Sequence, residues 1–93
     1  PYLLHVVLKT LGHAVVWHGR ILSNNCLVGN GAVVNDGVEV GELSIIAAGS
    51  VVLEGTHIES GTIYAGVPAK KVKELKKIKF GKSIFFVIFL NMA

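Results

Sequence analysis

Val28, Val34, Val40, Ile46, Val52, Ile58 and Tyr64 follow one another at intervals of six residues without a slip. Four positions behind each of the first six stands a small or β-branched residue: Ala32, Val38, Ser44, Ser50, Thr56 and Thr62. An α-helix returns to the same face every 3.6 residues and a strand every two, so neither accounts for this spacing. A backbone that turns a corner every six residues does. Three such sides close a coil of about 18 residues, and stacked coils form a solenoid. The beat extends backwards through Leu22, then Trp17 after a step of five, then Leu11.

This periodicity predicts an all-β solenoid of about three coils over residues 11–67, with residues 1–10 read as a strand of an earlier coil. Beat residues one coil apart stack on one another. The expected ladders are Leu22 with Val40 and Ile58, Val28 with Ile46 and Tyr64, and Val34 with Val52. A helical reading of the same stretch would place most of the 11 glycines in helix interiors, each at a cost of about 1 kcal/mol. A chain of 93 residues supports one small domain. A globule of that size is marginal, whereas each coil of a solenoid is buried by its neighbours.

Past the repeat, Gly66-Val67-Pro68-Ala69 ends the coil. Pro68 suits the first turn of a helix, and Val72, Leu75 and Ile78 follow at helical spacing. Residues 69–79 therefore read as a short amphipathic α-helix, in a unit spanning 69–80 that follows a β-helix unit spanning 1–68. The remaining unit, 81–93, contains Ile84-Phe85-Phe86-Val87-Ile88-Phe89-Leu90, a strongly β-prone run with no assigned role. Seven apolar residues fall far short of the roughly 20 needed to cross a bilayer, so no membrane is expected.

The net charge of +3 comes largely from Lys70, Lys71, Lys73, Lys76, Lys77, Lys79 and Lys82. A lysine run of this kind reads as a solvated face, and nucleic acid is not an expected partner. The single cysteine, Cys26, falls in the small-residue slot behind Leu22 and reads as a buried structural thiol. A lone free cysteine and the lack of a secretory signal fit a cytoplasmic protein. Without an initial Met, the chain reads as a fragment or a processed product.

His13 and His18 frame the block Gly12-His13-Ala14-Val15-Val16-Trp17-His18-Gly19, and neither holds an inward slot. Both belong near corners, on the outer surface or at a contact between subunits. Neutral imidazole is a common zinc ligand, and a catalytic zinc takes about three protein ligands and a water. Five residues of strand advance about 16 Å, which is far for two ligands of one ion. Ligands contributed by two subunits would meet more easily; two ordinary surface histidines are the alternative. His57, Asp36 and Glu39 read as solvated surface or corner residues.

That block resembles the paired-histidine motif of the γ-class carbonic anhydrase-like proteins, which belong to the hexapeptide-repeat superfamily. The resemblance continues through Leu27-Val28-Gly29-Asn30-Gly31-Ala32-Val33-Val34-Asn35-Asp36-Gly37, Ala47-Ala48-Gly49-Ser50-Val51-Val52 and Tyr64-Ala65-Gly66-Val67-Pro68-Ala69-Lys70. It runs from about residue 11 to residue 75. It implies a left-handed parallel β-helix and a homotrimer with metal sites shared between subunits. The metal would be Zn2+, with Fe2+ or Co2+ as alternatives. It would be held by His13 from one chain, and by His18 and His5 from its neighbour. His5 departs from the family pattern, since only seven residues separate it from His13. The implied activity is zinc-hydroxide hydration of carbon dioxide to bicarbonate, although the acidic proton shuttle of active members is not visible. The rivals are an acyltransferase using acyl-CoA on the same solenoid, and a structural trimer subunit without a working site.

Overall fold

In the computed structural model the structure describes residues 9–75. His5, the apolar run 84–90 and the far end of the expected helix lie outside them. Eleven short strands are present among the described residues. The first coil contains β1 (Lys9–Leu11), β2 (Val16–Trp17) and β3 (Ile21–Leu22). The second contains β4 (Cys26–Val28), β5 (Val33–Val34) and β6 (Glu39–Val40). The third contains β7 (Ile45–Ile46), β8 (Val51–Val52) and β9 (His57–Ile58), followed by β10 (Thr62–Gly66) and β11 (Ala69–Glu74).

The strands form three faces, in the orders β1-β4-β7-β10-β11, β2-β5-β8 and β3-β6-β9. Apart from β10 with β11, every pairing is parallel. The register is the one the beat predicts. Leu22 lies opposite Val40 and Val40 opposite Ile58. Val28 lies opposite Ile46, Ile46 opposite Tyr64, and Val34 opposite Val52. The five-residue step from Trp17 to Leu22 makes the first coil one residue shorter, so Trp17 pairs with Val34 at an offset of 17. This is a three-sided parallel β-helix of about three coils, as expected for a hexapeptide-repeat solenoid.

The beat residues build the core: Val28, Val34, Ile46, Val52 and Ile58 are fully buried, with Trp17, Leu22 and Tyr64 packed against them. The slot four residues on is inward as well, which requires its polar members to be satisfied. Ser44, Thr56 and Thr62 return their hydroxyls to the carbonyls of Gly41, Leu53 and Glu59, three residues back. Cys26 is buried, and its thiol donates to the Gly41 carbonyl at 3.0 Å. Among the described residues no buried side-chain polar atom lacks a partner, as a well-packed interior demands.

Each full corner places a residue three past the beat in the left-handed region, where Gly31 and Gly49 sit at φ +72°. The amides of Gly31, Leu43, Gly49, Gly55 and Gly61 bond to the previous coil, Gly31 to His13 O and Gly49 to Asn30 O. Three corners lack glycine there and use Ala14, Asn25 and Leu43 instead, at φ +58°, +59° and +59°.

One expectation is corrected. Ala69–Glu74, expected to open a helix, is strand β11, folded back antiparallel on β10 through a turn at Val67 and Pro68. The physical reason is the free edge that β10 presents at the end of its face. Pairing there satisfies a row of backbone groups, which outweighs a helical spacing of only a few apolar residues. β11 is almost wholly exposed and carries Lys70, Lys71 and Lys73. Lysines of this kind blunt an edge against further pairing. Lys71 bonds to Glu59 at 3.2 Å and Glu74 at 3.1 Å, and its amine is held above the usual lysine range, first by Glu74 and then by Glu59. Among the described residues, no helix is long and apolar enough to cross a membrane.

Candidate functional site

The paired histidines occupy the two edges of the second face. His13 opens the corner before β2, and His18 follows β2 directly. Both are exposed, while Trp17 between them points into the core. Strand alternation explains the placement: with the beat residue inward, its neighbours are thrown outward or into a corner. The outer side of this face carries Val16, Val33 and Val51 in register, with Val16 45% exposed.

Each histidine is held against the coil above it. The His13 amide donates to the side-chain oxygen of Asn30 at 2.7 Å, and the His13 carbonyl accepts the Gly31 amide at 2.9 Å. Asn30 comes so close that a Cβ on Gly12 would lie 2.8 Å from its backbone nitrogen and collide with its side-chain oxygen. Gly12 therefore belongs to the histidine block for a steric reason. The His18 amide bonds to Val34 O at 2.8 Å, and its Nδ1 lies 3.8 Å from Asp36 Oδ1. That spacing is an ion pair when His18 is protonated, and too long for a hydrogen bond. His18 and Asp36, with Asn35, Leu53 and Glu54, line a shallow groove over the short corner.

His13 and His18 do not converge within one chain. A whole face separates them, whereas nitrogens on one zinc lie about 2.0–2.1 Å from the ion. Among the described residues, no group of three or more His, Cys, Asp or Glu side chains is placed to hold a metal ion. The donors that are present have the right chemistry, two exposed imidazoles, and would need further ligands from elsewhere.

On the third face, Glu39 is half-buried and takes part in a ladder. Arg20 Nη1 donates to Glu39 Oε2 at 2.9 Å, and His57 Nδ1 lies 3.4 Å from Glu39 Oε1. Strand register explains this, because Ile21, Glu39 and His57 are neighbours across β3, β6 and β9. Glu39 and His57 thus lie on strands and not at corners. The ladder gives both residues a structural partner. Sequence reasoning passed over Asn30 and the approach of Asp36 to His18. Both were within its reach, since Asn30 is one short coil past His13 and Asp36 one full coil past His18.

Residues 21–54 match the family described as Bacterial transferase hexapeptide (six repeats). The chain carries the hexapeptide repeat. Over 66 residues, 71% of its length, this hexapeptide-repeat chain is 42% identical to "Gamma carbonic anhydrase 2, mitochondrial" of Arabidopsis thaliana. It spans only 24% of that relative. A Bacillus cereus structure described as an acetyltransferase superposes with a TM-score of 0.70 at 34% identity, covering 87% of this chain and 46% of the other. Serine acetyltransferase of Brucella abortus in complex with coenzyme A gives 0.59 at 33% identity, covering 73% of this chain and 30% of the other. The repeat is thus similar both to γ-carbonic anhydrases and to acetyltransferases.

Proposed function

We propose that this hexapeptide-repeat chain is a γ-carbonic anhydrase-like subunit of a homotrimer, with a Zn2+, Fe2+ or Co2+ ion held between subunits and carbon dioxide and bicarbonate as substrate and product. The observation that carries this reading is the placement of His13 and His18. Both imidazoles are exposed at opposite edges of one face, so each is free to meet ligands from another copy. The 42% identity to an Arabidopsis γ-carbonic anhydrase supports the same reading. A bound divalent ion would supply acidification of water to near neutral pH, the chemistry that carbon dioxide hydration needs.

His13 and His18 act as ligands in their neutral form, and His5 is proposed as the third. Gly12 and Asn30 fix the corner that presents His13. Asp36, beside His18 Nδ1, lies on the side where a carboxylate orients a ligating imidazole. The half-exposed valines of the second face offer an apolar surface beside both histidines, suited to packing against a neighbouring subunit. A buried free thiol at Cys26 suits a reducing compartment such as the cytoplasm.

Metal analysis of the purified oligomer, combined with its mass, tests the reading. About one ion per subunit in a trimer is the expected result, with loss of the ion in His13→Ala and in His18→Ala. A metal-free monomer would sink it. The likeness to acetyltransferase structures favours a second reading, in which acyl-CoA binds between subunits and a histidine deprotonates the acceptor. Saturable binding of coenzyme A by a metal-free trimer would select that one.

A further inference from the structure

We infer that Asn30 is the positioning residue for the His13 ligand, an inference that rests on the metal-site reading above. The first residue of each corner exposes an amide that the coil ladder does not use. At His13 that amide donates to Asn30 Oδ1 at 2.7 Å. Among the described residues, the other corner-opening amides, those of Asn24, Asn30, Asp36, Glu42, Ala48, Glu54 and Ser60, make no such bond to a side chain. The corner that carries the candidate ligand is thus tied to the next coil in a way the others are not.

The tie acts where the backbone needs it. Ala14, directly after His13, has φ +58°, a conformation costing a side-chain-bearing residue about 1–2 kcal/mol. Asn30 Oδ1 holds the amide and Gly31 N holds the carbonyl of His13, so both ends of that residue are pinned. Gly12 completes the arrangement by leaving room for the Asn30 side chain. A ligand fixed by its backbone on both sides loses less freedom when it binds an ion. Removing partners that orient a ligand lowers metal affinity about 10–100-fold.

The test is a cobalt titration of the full-length oligomer, read by the visible absorption of bound Co2+ against a competing chelator. Asn30→Ala should bind about tenfold more weakly than the unsubstituted chain, with the trimer and the melting temperature retained, because an exposed neutral hydrogen bond adds little stability. Asn30→Asp, which keeps an acceptor oxygen at the same place, should restore binding to within a few-fold. Cobalt binding by Asn30→Ala equal to that of the unsubstituted chain overturns the inference and leaves the metal site standing. So does an Asn30→Asp variant as weak as Asn30→Ala. An unsubstituted chain that takes up no cobalt overturns the metal reading itself, and this inference with it.

Discussion

Leu43 shows how far a single residue can depart from the repeat without breaking it. It holds the corner position that Gly31, Gly37, Gly49, Gly55 and Gly61 fill elsewhere, and it does so at φ +59°. Its amide still reaches Asn24 O at 3.4 Å, so the coil closes against a local strain. Leu43→Gly relieves that strain and gives back part of the gain as unfolded-chain entropy. A net stabilisation of about 0.5–1 kcal/mol is expected, seen as a rise in melting temperature of a few degrees. Gly12→Ala is the opposite case. The added Cβ meets the side chain and backbone nitrogen of Asn30, and backbone cannot yield as a side-chain tip can. A destabilisation of about 1–3 kcal/mol is expected, together with faster hydrogen exchange at the His13 amide as its bond to Asn30 is lost.

At the scale of the element, each strand is too short to be stable alone, and stacking supplies what length does not. Ile46 illustrates this, since it is fully buried between Val28 and Tyr64 on the same face. Ile46→Ala should cost about 2–5 kcal/mol in chemical denaturation, because neighbours locked in two adjoining coils cannot collapse into the space. The first face also buries its outer side. Leu27, Ile45 and Ile63 are in register there, and Leu75 packs against them, its amide bonded to Gly61 O at 2.7 Å. That cluster is absent from the three expected ladders, although its signal was in the sequence. From Leu27 onward the residues just before the beat are large and apolar on this face, but they are Ile21, Glu39 and His57 on the third. Strand β11 was not legible in the same way. Val72 and Leu75 fit helical spacing as readily as they fit an edge strand, and local pattern does not arbitrate when the deciding partner, β10, lies across a turn.

For the whole molecule, the proposed metal site ties assembly to ligation. A metal held between subunits stabilises the assembled state by mass action. Chelation of the purified trimer should therefore lower its melting temperature and shift its mass toward smaller species. The same treatment should leave His13→Ala and His18→Ala unchanged, because neither holds an ion to lose. Thermal melts with and without chelator, followed by light scattering, check both outcomes. The period of six alone determined the coil, its three faces, the register of the ladders, the burial of Cys26 and the outward placement of His13 and His18. It could do so because each of these depends only on position within the repeat. Tertiary structure alone decided the fate of residues 69–74 and the cover that Leu75 provides over the first face. Each of those depends on which group a neighbouring coil or strand presents at the point of contact, and spacing along one chain carries no record of that.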